Sequence, residues 1–365
     1  MDNNREKRIF SGESLITELL HRKGFQNGIP ISGNFELTAR CNFNCKMCYI
    51  HQQHPQNQEL CAEQWLSLGR ALTDRGMVFL LLTGGEPFLR PDFPEIYLGL
   101  RQMGLMVSVN TNASLLNDEI LNAFRKAPPA RVNVSLYGGC EETYSALCGN
   151  SAYKVVTDNI LKMHSAGVHV RLNATINPYN AADIDAIYQF AKDHDLIVRG
   201  TAYMYPPVRA CAEQGSCVRF TPKEAAECML KFREHTLTPE QILNMAVPAQ
   251  ELDFDCTEDG GPMRCRAGRT SLWVTWDGRL LPCGMFPTEG YPILSMGFDE
   301  AWSHVRSDVA QVVMPAECAV CNKREHCGVC AASCLAENAD TRMKPDYICE
   351  MTDWLDRLIL EKYGR

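Results

Sequence analysis

Eighteen cysteines in a chain of 365 residues set the first constraint, because their positions are uneven. Three fall within one short stretch, at Cys41, Cys45 and Cys48, and eight more lie between Cys265 and Cys349. The other seven are scattered at Cys61, Cys140, Cys148, Cys211, Cys217, Cys228 and Cys256. The opening residues, Met1-Asp-Asn-Asn-Arg-Glu-Lys, lead into no secretory apolar stretch, so a reducing, cytoplasmic setting is expected instead of a disulfide scaffold. Clustered thiols in that setting read as iron–sulfur or metal ligands. The scattered seven are most simply small buried hydrophobes.

Apolar runs alternate with amphipathic stretches from about Asn34 to Met204. The pattern predicts strands at Phe35–Thr38, Val78–Leu82, Met106–Val109, Val132–Leu136, Val168–Leu172 and Ile197–Tyr203. It predicts helices at Glu63–Arg75, Pro94–Met103, Asp118–Arg125, Val155–Ala166 and Ala182–Asp195. Gly76, Gly104 and Gly167 follow helices, where a left-handed residue ends the last turn. Repeated strand–helix units require a parallel sheet with crossovers of one hand. Six units are too few to close an eight-stranded barrel. The expected fold is therefore α/β, a partial (β/α)6 barrel with ligands at the carboxyl ends of its strands.

Four segments are expected: an N-terminal extension (1–33), the partial barrel (34–220), a helical connector (221–262) and a C-terminal domain (263–365). The last has short strands around a Trp276-Asp277-Gly278 turn and few other helix or strand patterns, so metal clusters are the natural staple for it. The formal charge of −8 argues against a nucleic-acid partner. No apolar run approaches the roughly 20 residues that a membrane span requires.

Two motifs carry chemistry. In Cys41-x3-Cys45-x2-Cys48, directly after the first strand, three thiolates can hold three corners of a [4Fe–4S] cluster and leave one iron open. A zinc site is the alternative, with His51 or His54 as a fourth ligand; otherwise these two histidines are solvated loop residues. Thr83-Gly84-Gly85-Glu86-Pro87 ends the second strand. Its glycines let backbone approach a ligand closely, and Glu86 offers an acceptor for an ammonium.

In these motifs the chain resembles the radical S-adenosylmethionine (SAM) enzymes, and the resemblance covers most of it. Tyr49 matches the aromatic beside the third cysteine, and the resemblance implies that Gly84, Gly85, Glu86 and Pro87 hold the amino group of SAM. Asn110-Thr111-Asn112 resembles the family's Thr-Asn-Gly turn, with Ala113 where glycine is usual. Ser135 resembles the residue that contacts the SAM ribose, and Asn173 and Thr175 are placed to face the adenosine. The implied reaction is reductive cleavage of SAM to a 5′-deoxyadenosyl radical that abstracts hydrogen from a substrate.

The C-terminal cysteines resemble a SPASM auxiliary-cluster domain, through Cys265, Gly278, Cys283, Cys318-x2-Cys321-x5-Cys327 and Cys349. The pattern departs at Ala331, where a cysteine is usual, and Cys330 and Cys334 stand on either side. The resemblance implies two auxiliary [4Fe–4S] clusters. One would take Cys318, Cys321, Cys327 and Cys349; the other would take Cys265 and Cys283, with Cys330 and Cys334 as candidates and Cys256 as a rival. Zinc is the alternative metal for any four-cysteine set.

SPASM-bearing relatives mostly act on peptides or proteins. The expected function is oxidative modification or crosslinking, such as a thioether, of a ribosomally synthesised peptide. Formylglycine formation in sulfatases, or oxidation of a tetrapyrrole or small molecule, is the alternative, and a non-catalytic iron–sulfur or zinc protein is a remote one. The Gly84–Pro87 turn argues against the last, since an electron carrier needs no clamp for SAM. The residues before the barrel are too few for the leader-binding domain of some peptide maturases, so a separate recognition protein, a leader that binds the barrel directly or a non-peptide substrate would each fit. A flavodoxin- or ferredoxin-type electron donor is implied. Tyr203, Met204, Tyr205 and Arg209 lie at the expected mouth, the methionines at 204, 229, 245, 263, 285 and 296 read as core fillers, and no general base can be assigned.

Overall fold

Six parallel strands, joined through helices, carry the first half of the chain. They are β1 (Ser32–Glu36), β2 (Phe79–Thr83), β3 (Met106–Thr111), β4 (Arg131–Ser135), β5 (Val170–Thr175) and β6 (Ile197–Thr201). The computed structural model describes residues 15–50, 58–208, 219–246, 263, 265–324 and 326–364. Helix α1 (Leu15–Asn27) precedes β1. The connections contain α2 (Ala62–Asp74), α3 (Phe93–Gln102), α4 (Asp118–Lys126), α5 (Glu141–Cys148), α6 (Tyr153–Ser165) and α7 (Ile184–Asp193). Gly76, Gly104 and Gly167 all adopt the left-handed conformation expected after a helix.

Side chains alternate faces along each strand, and the two faces differ in chemistry. Leu80, Leu82, Val107, Val109, Val132, Val134 and Leu172 point outward and are almost fully buried against Trp65, Ile96, Tyr97, Phe124 and Ile160 of the helices. The register puts Asn34, Ser108, Asn110, Asn133, Ser135, Asn173 and Thr175 on the opposite face. Doubly covered parallel strands are normally apolar on both sides. These are not: the polar residues of the inner face are largely half-buried, so that face is not a packed core.

The sheet does not close. It has nine strands in the order β6-β5-β4-β3-β2-β1-β7-β8-β9, so the C-terminal part of the chain continues it. Strand β7 (Ser271–Val274) lies parallel beside β1, with Asn34 opposite Trp273, and β8 (Arg279–Leu281) and β9 (Tyr291–Pro292) follow antiparallel. At the other edge, α8 (Pro222–Thr236) covers β6 closely: a Cβ on Gly200 would lie 2.6 Å from the Phe232 ring. Helix α9 (Pro239–Ala246) follows α8.

The C-terminal part has more helix than its sequence suggests. It contains α10 (Ile293–Met296), α11 (Phe298–Ala310), α12 (Ala316–Ala319), α13 (Ala331–Asn338) and the 18-residue α14 (Asp346–Tyr363). Ile348, Met351, Leu355 and Ile359 form a buried stripe on α14 at helical spacing, and this helix packs on α8 and α9. The expectation of a segment poor in regular structure is corrected here: an apolar stripe, as well as any cluster, anchors it. Helices α1 and α5 are likewise additions to the sequence reading. No helix among the described residues is long and apolar enough to cross a membrane.

Truncating the α14 stripe should therefore loosen the C-terminal part. Leu355→Ala, at a site 4% exposed, is expected to cost about 2–5 kcal/mol in urea unfolding. Leu360→Ala, 48% exposed on the same helix, should change stability by no more than about 0.5 kcal/mol.

Candidate active site

The loop after β1 and the turn after β2 are fitted together backbone to backbone. Gly85 N donates to Thr38 O at 2.7 Å and Glu86 N donates to Arg40 O at 2.8 Å. A Cβ on Gly85 would stand 2.2 Å from Arg40 O, and one on Gly84, at φ +154°, 2.6 Å from Thr38 O. Only glycine permits this contact. It fixes where the Cys41–Cys48 loop leaves the sheet. Arg90 braces the same junction from below, donating to Leu37 O and Leu60 O while paired with Asp92 at 2.6 Å. Glu59 accepts from Thr38 Oγ1 and from the Arg40 side chain.

Glu86 is fully buried and is itself a structural clasp. Its Oε1 accepts from Phe88 N at 2.9 Å and Thr111 Oγ1 at 2.7 Å, and its Oε2 accepts from Asn112 N at 2.7 Å. The carboxylate thus ties the end of β3 to the end of β2 and keeps acceptor capacity on Oε2. Burial pushes its pKa up to about 7, against the lowering effect of these hydrogen bonds. Pro87 opens the 3₁₀ turn that follows.

The cysteine loop has three further anchors. Asn112 Nδ2 donates to Asn42 Oδ1, whose Nδ2 donates to Ser114. Asn44 N and Lys46 N donate to Cys148 O and Leu147 O at the end of α5, and Gly149 closes that helix in the left-handed conformation. Ala113 has φ +60° and is fully buried, so a left-handed residue is needed where the family's glycine is usual. Asn159 Nδ2 holds its carbonyl.

Cys41, Cys45 and Cys48 sit half-buried on this loop. Cys41 Sγ accepts from Phe43 N at 3.4 Å. Burial, with smaller contributions from Glu86, Cys45 and Cys48, pushes the Cys41 thiol up to about 12, while the Phe43 amide opposes this. Cys45 is raised by a hydrogen bond with Cys148 and then by burial. Cys148 is therefore not simply a small buried hydrophobe: it is fully buried, and it touches a loop cysteine. The reading of the scattered cysteines needs correcting elsewhere too, since Cys61 is exposed and Cys140 and Cys228 are only half-buried. Both Cys61 and Cys140 stand as helix N-caps. Cys211, Cys217, Cys256, Arg209, His51 and His54 lie outside the described residues.

Asn110, Ser135, Asn173 and Thr175 share the inner face at the carboxyl ends of β3, β4 and β5. Asn110 Oδ1 accepts from Asn133 Nδ2 at 2.7 Å, and Asn173 Oδ1 is buried with no hydrogen-bond partner. Asn112 lies apart from this group, because its side chain is taken up by Asn42 and Ser114. Tyr49 O accepts from Val208 N at 3.2 Å, which draws the segment after β6 over the cysteine loop.

That segment also reaches the C-terminal cysteines. Tyr205 Oη lies 3.4 Å from Cys330 Sγ, and Tyr203 donates to Glu337, which Arg219 grips through both nitrogens. The C-terminal thiols fall into two neighbourhoods. Burial raises Cys265, reinforced by Cys330, and raises Cys283, reinforced by Cys265 and Cys330. Burial raises Cys349 to about 11, reinforced by Cys327 and Cys318, and raises Cys318, reinforced by Cys327 and Cys321. Cys334 stands between them: burial pushes it to about 12, with Cys318, Cys330 and Cys349 adding to the shift. Backbone amides donate at 3.4 Å to Cys283 from Met285 and to Cys330 from Ser333, and Thr352 Oγ1 approaches Cys327 Sγ at 3.6 Å.

Residues 35–191 match the Radical SAM superfamily. The chain carries a radical SAM domain. The AdoMet-dependent heme synthase of Methanosarcina barkeri is 24% identical over 323 residues, which span 84% of this chain and 92% of that protein. The sporulation killing factor maturation protein SkfB of Bacillus subtilis is 30% identical over 274 residues, 74% of this chain and 64% of SkfB. Among solved structures, Streptococcus suis SuiB bound to precursor peptide SuiA superposes with a TM-score of 0.66 at 16% identity, over 90% of this chain and 79% of SuiB. The structure of anSMEcpe with bound AdoMet and the Cp18Cys peptide also gives 0.66 at 16% identity, over 92% of this chain and 99% of that one. These likenesses show the fold.

The family implies a [4Fe–4S] cluster and SAM, and the residues fit them. Three thiols share one pinned loop, an amide donates to the Cys41 sulfur, and burial raises Cys41 while Cys148 and then burial raise Cys45, a penalty that bound iron would reverse. Among the described residues no three His, Cys, Asp or Glu side chains converge as a mononuclear metal site would require.

The Glu86 shift fixes a pH dependence. Its folded pKa, about 7, lies above the ordinary 4.5, so the folded chain binds the proton more tightly. The stability of the wild type relative to Glu86→Gln should fall as pH rises from about 4.5 to 7 and level off above that. Thermal unfolding of the apoprotein at pH 5, 6 and 8 checks this.

Proposed function

We propose that this chain is a radical SAM peptide maturase that oxidatively modifies or crosslinks a ribosomally synthesised peptide and carries two auxiliary clusters. The observation that carries the reading is the Tyr205–Cys330 contact, which brings the mouth of the barrel directly to the C-terminal thiols. In this reading Cys41, Cys45 and Cys48 hold the SAM cluster. The Gly84–Gly85 backbone and the remaining acceptor on Glu86 receive the amino group of SAM, and Ser135 and Thr175 receive its nucleoside. Bound there, cluster and SAM would supply a radical able to abstract hydrogen from an unactivated carbon. The chain's own part is placement: the inner face orients the substrate, and the strap from Tyr49 to Val208 keeps water from the loop.

For the auxiliary clusters, Cys318, Cys321, Cys327 and Cys349 form one set, and Cys265, Cys283 and Cys330 the core of the other. Cys334 is the candidate that both neighbourhoods share. Hydrogen bonds to Cys283, Cys330 and Cys327 are of the kind that raise a cluster's reduction potential and fit an electron acceptor. Peptide chemistry is favoured by the likeness to SkfB, whose name is that of a maturation protein, and to the peptide-bound SuiB and anSMEcpe folds. The likeness to the heme synthase supports a tetrapyrrole as the second reading. A flavodoxin- or ferredoxin-type donor would supply electrons.

After anaerobic reconstitution, the protein should hold about twelve irons, falling to about eight in a Cys41/Cys45/Cys48→Ala variant. Four falling to none would remove the auxiliary clusters from the proposal. Incubation with dithionite, SAM and a cognate peptide should yield 5′-deoxyadenosine and a peptide lighter by two hydrogens. Activity on a tetrapyrrole and not on peptides would select the second reading. Tyr205→Phe should lower the midpoint potential of one auxiliary cluster in an EPR redox titration and leave the iron content unchanged.

A further inference from the structure

The inner face of the sheet carries three arginines on adjacent strands. Arg131 opens β4, Arg171 lies opposite Asn133 on β5, and Arg199 lies opposite Asn173 on β6. All three therefore share the inner face with Asn110, Asn133, Ser135 and Thr175. None of them forms an ion pair among the described residues. Among the described residues the only carboxylate on any strand, Glu36, is on β1, three strands from Arg131, and it accepts from Trp273 Nε1 at 3.0 Å.

The like charges strain one another. Burial, and then Arg131 and Arg199, lower the pKa of Arg171 to about 10; burial and then Arg199 lower that of Arg131. Arg131 Nε is satisfied by Asn133 Oδ1, but Arg171 Nε is a buried donor with no partner, and Asn173 Oδ1, two residues along the same face, is a buried acceptor with none. Polar groups left unpaired in a folded chain call for an explanation, and three cations without a counter-charge call for an anion. The surrounding groups are amides and hydroxyls, able both to donate and to accept. A ligand that presents an oxyanion next to an N–H answers the orphaned donor and the orphaned acceptor together. A carboxylate carried on a peptide backbone has that pairing, and a bare phosphate lacks the donor.

We propose that Arg131, Arg171 and Arg199 form an anion subsite on the inner face of the sheet that receives a carboxylate of the substrate peptide. The carboxylate belongs either to an Asp or Glu side chain or to the peptide's C-terminus. The peptide part rests on the function proposed above; the anion part does not. The three arginines lie toward the amino ends of β4–β6, below Ser135 and Thr175 at the carboxyl ends and away from the β1 and β2 loops assigned to the cluster, so the subsite acts on the substrate and leaves SAM binding alone.

The test uses the reconstituted holoenzyme, with citrate as the first probe. At constant ionic strength, citrate should raise the melting temperature of the wild type by a few degrees. It should have no effect on Arg171→Gln/Arg199→Gln, and that variant should melt no lower than the wild type without citrate, since repulsion has been removed. Equal citrate effects in both proteins, or none in the wild type, overturn the subsite. So does a variant that loses stability while keeping its iron. Should the double variant not fold, Arg199→Gln alone, at the exposed member, is held to the same outcomes.

Three labelled hexapeptides then separate the sources by fluorescence anisotropy: one with an internal Glu and an amidated end, one neutral with a free C-terminus, and one neutral and amidated. The preferred acidic peptide should lose roughly tenfold in affinity in the variant, while SAM affinity is unchanged. A positive citrate result with no preference among the peptides keeps the anion subsite and overturns its assignment to a peptide carboxylate. Weakened SAM binding in the variant overturns the assignment to substrate.

Discussion

Backbone packed against backbone at the carboxyl ends of β1 and β2 is the contact on which the site depends. Glycine at positions 84 and 85 lets the second strand's turn lie on Thr38, Ala39 and Arg40 with no side chain between them. The hydrogen bonds from Gly85 and Glu86 convert that closeness into a fixed register. Everything downstream on the cysteine loop inherits its position from this junction. The buried Glu86 extends the lock sideways to β3 through Thr111 and Asn112, and Asn112 returns it to the loop through Asn42. A ring of contacts thus runs β1 to β2 to β3 and back to β1. Removing one member would leave buried donors unsatisfied, at about 1–3 kcal/mol each, so the loop's geometry is held cooperatively.

The C-terminal part is bound to the barrel at both edges of the sheet. At one edge β7 continues the parallel ladder beside β1; at the other, α8 covers β6 and α14 packs on α8. An open barrel exposes unpaired strand edges, and covering them is the usual remedy. Here the same covering places cysteine-bearing loops beside the strand ends. Tyr203, Tyr205, Arg219, Glu337 and Tyr347 fill the seam, with Arg219 3.9 Å above the Tyr347 ring and paired to Glu337. The stability of the fold and the closeness of the two thiol regions follow from one arrangement.

What the sequence disclosed and what it hid divide along physical lines. The six strands and the five long crossover helices were legible because the outward residues repeat with the periods of strand and helix. The cysteine and glycine motifs were legible because few other residues can perform their roles. Helix α5 was missed because eight residues show little period, although Gly149 after it was a usable stop signal. Helix α14 carries Cys349 within it, and its apolar stripe of Ile348, Met351, Leu355 and Ile359 was a usable helical signal. The Cys45–Cys148 contact joins residues 103 positions apart (148 − 45), and no local pattern encodes it. The arginines lay in plain view as Arg131, Arg171 and Arg199, but each reads alone as a strand-end cation. Only the register brings them to one face.

The inner face is where the sequence departs from what a stable parallel sheet would choose. A packed barrel interior would carry Val, Ile and Leu, and the outward positions show that this chain supplies them where it needs them. On the inner face it sets amides, hydroxyls and unpaired guanidiniums instead, and accepts mutual repulsion among the last. Such a surface is costly to bury and of no use to the fold, so its reason lies in what occupies it. Local conflict with the rules of packing marks a functional surface. Here the conflict covers the strand ends from β3 to β6, between the cysteine loop on one side and Tyr205 with Cys330 on the other. A ligand lying across that face would meet both at once, so the polar face and the two thiol regions are placed to act on one bound molecule.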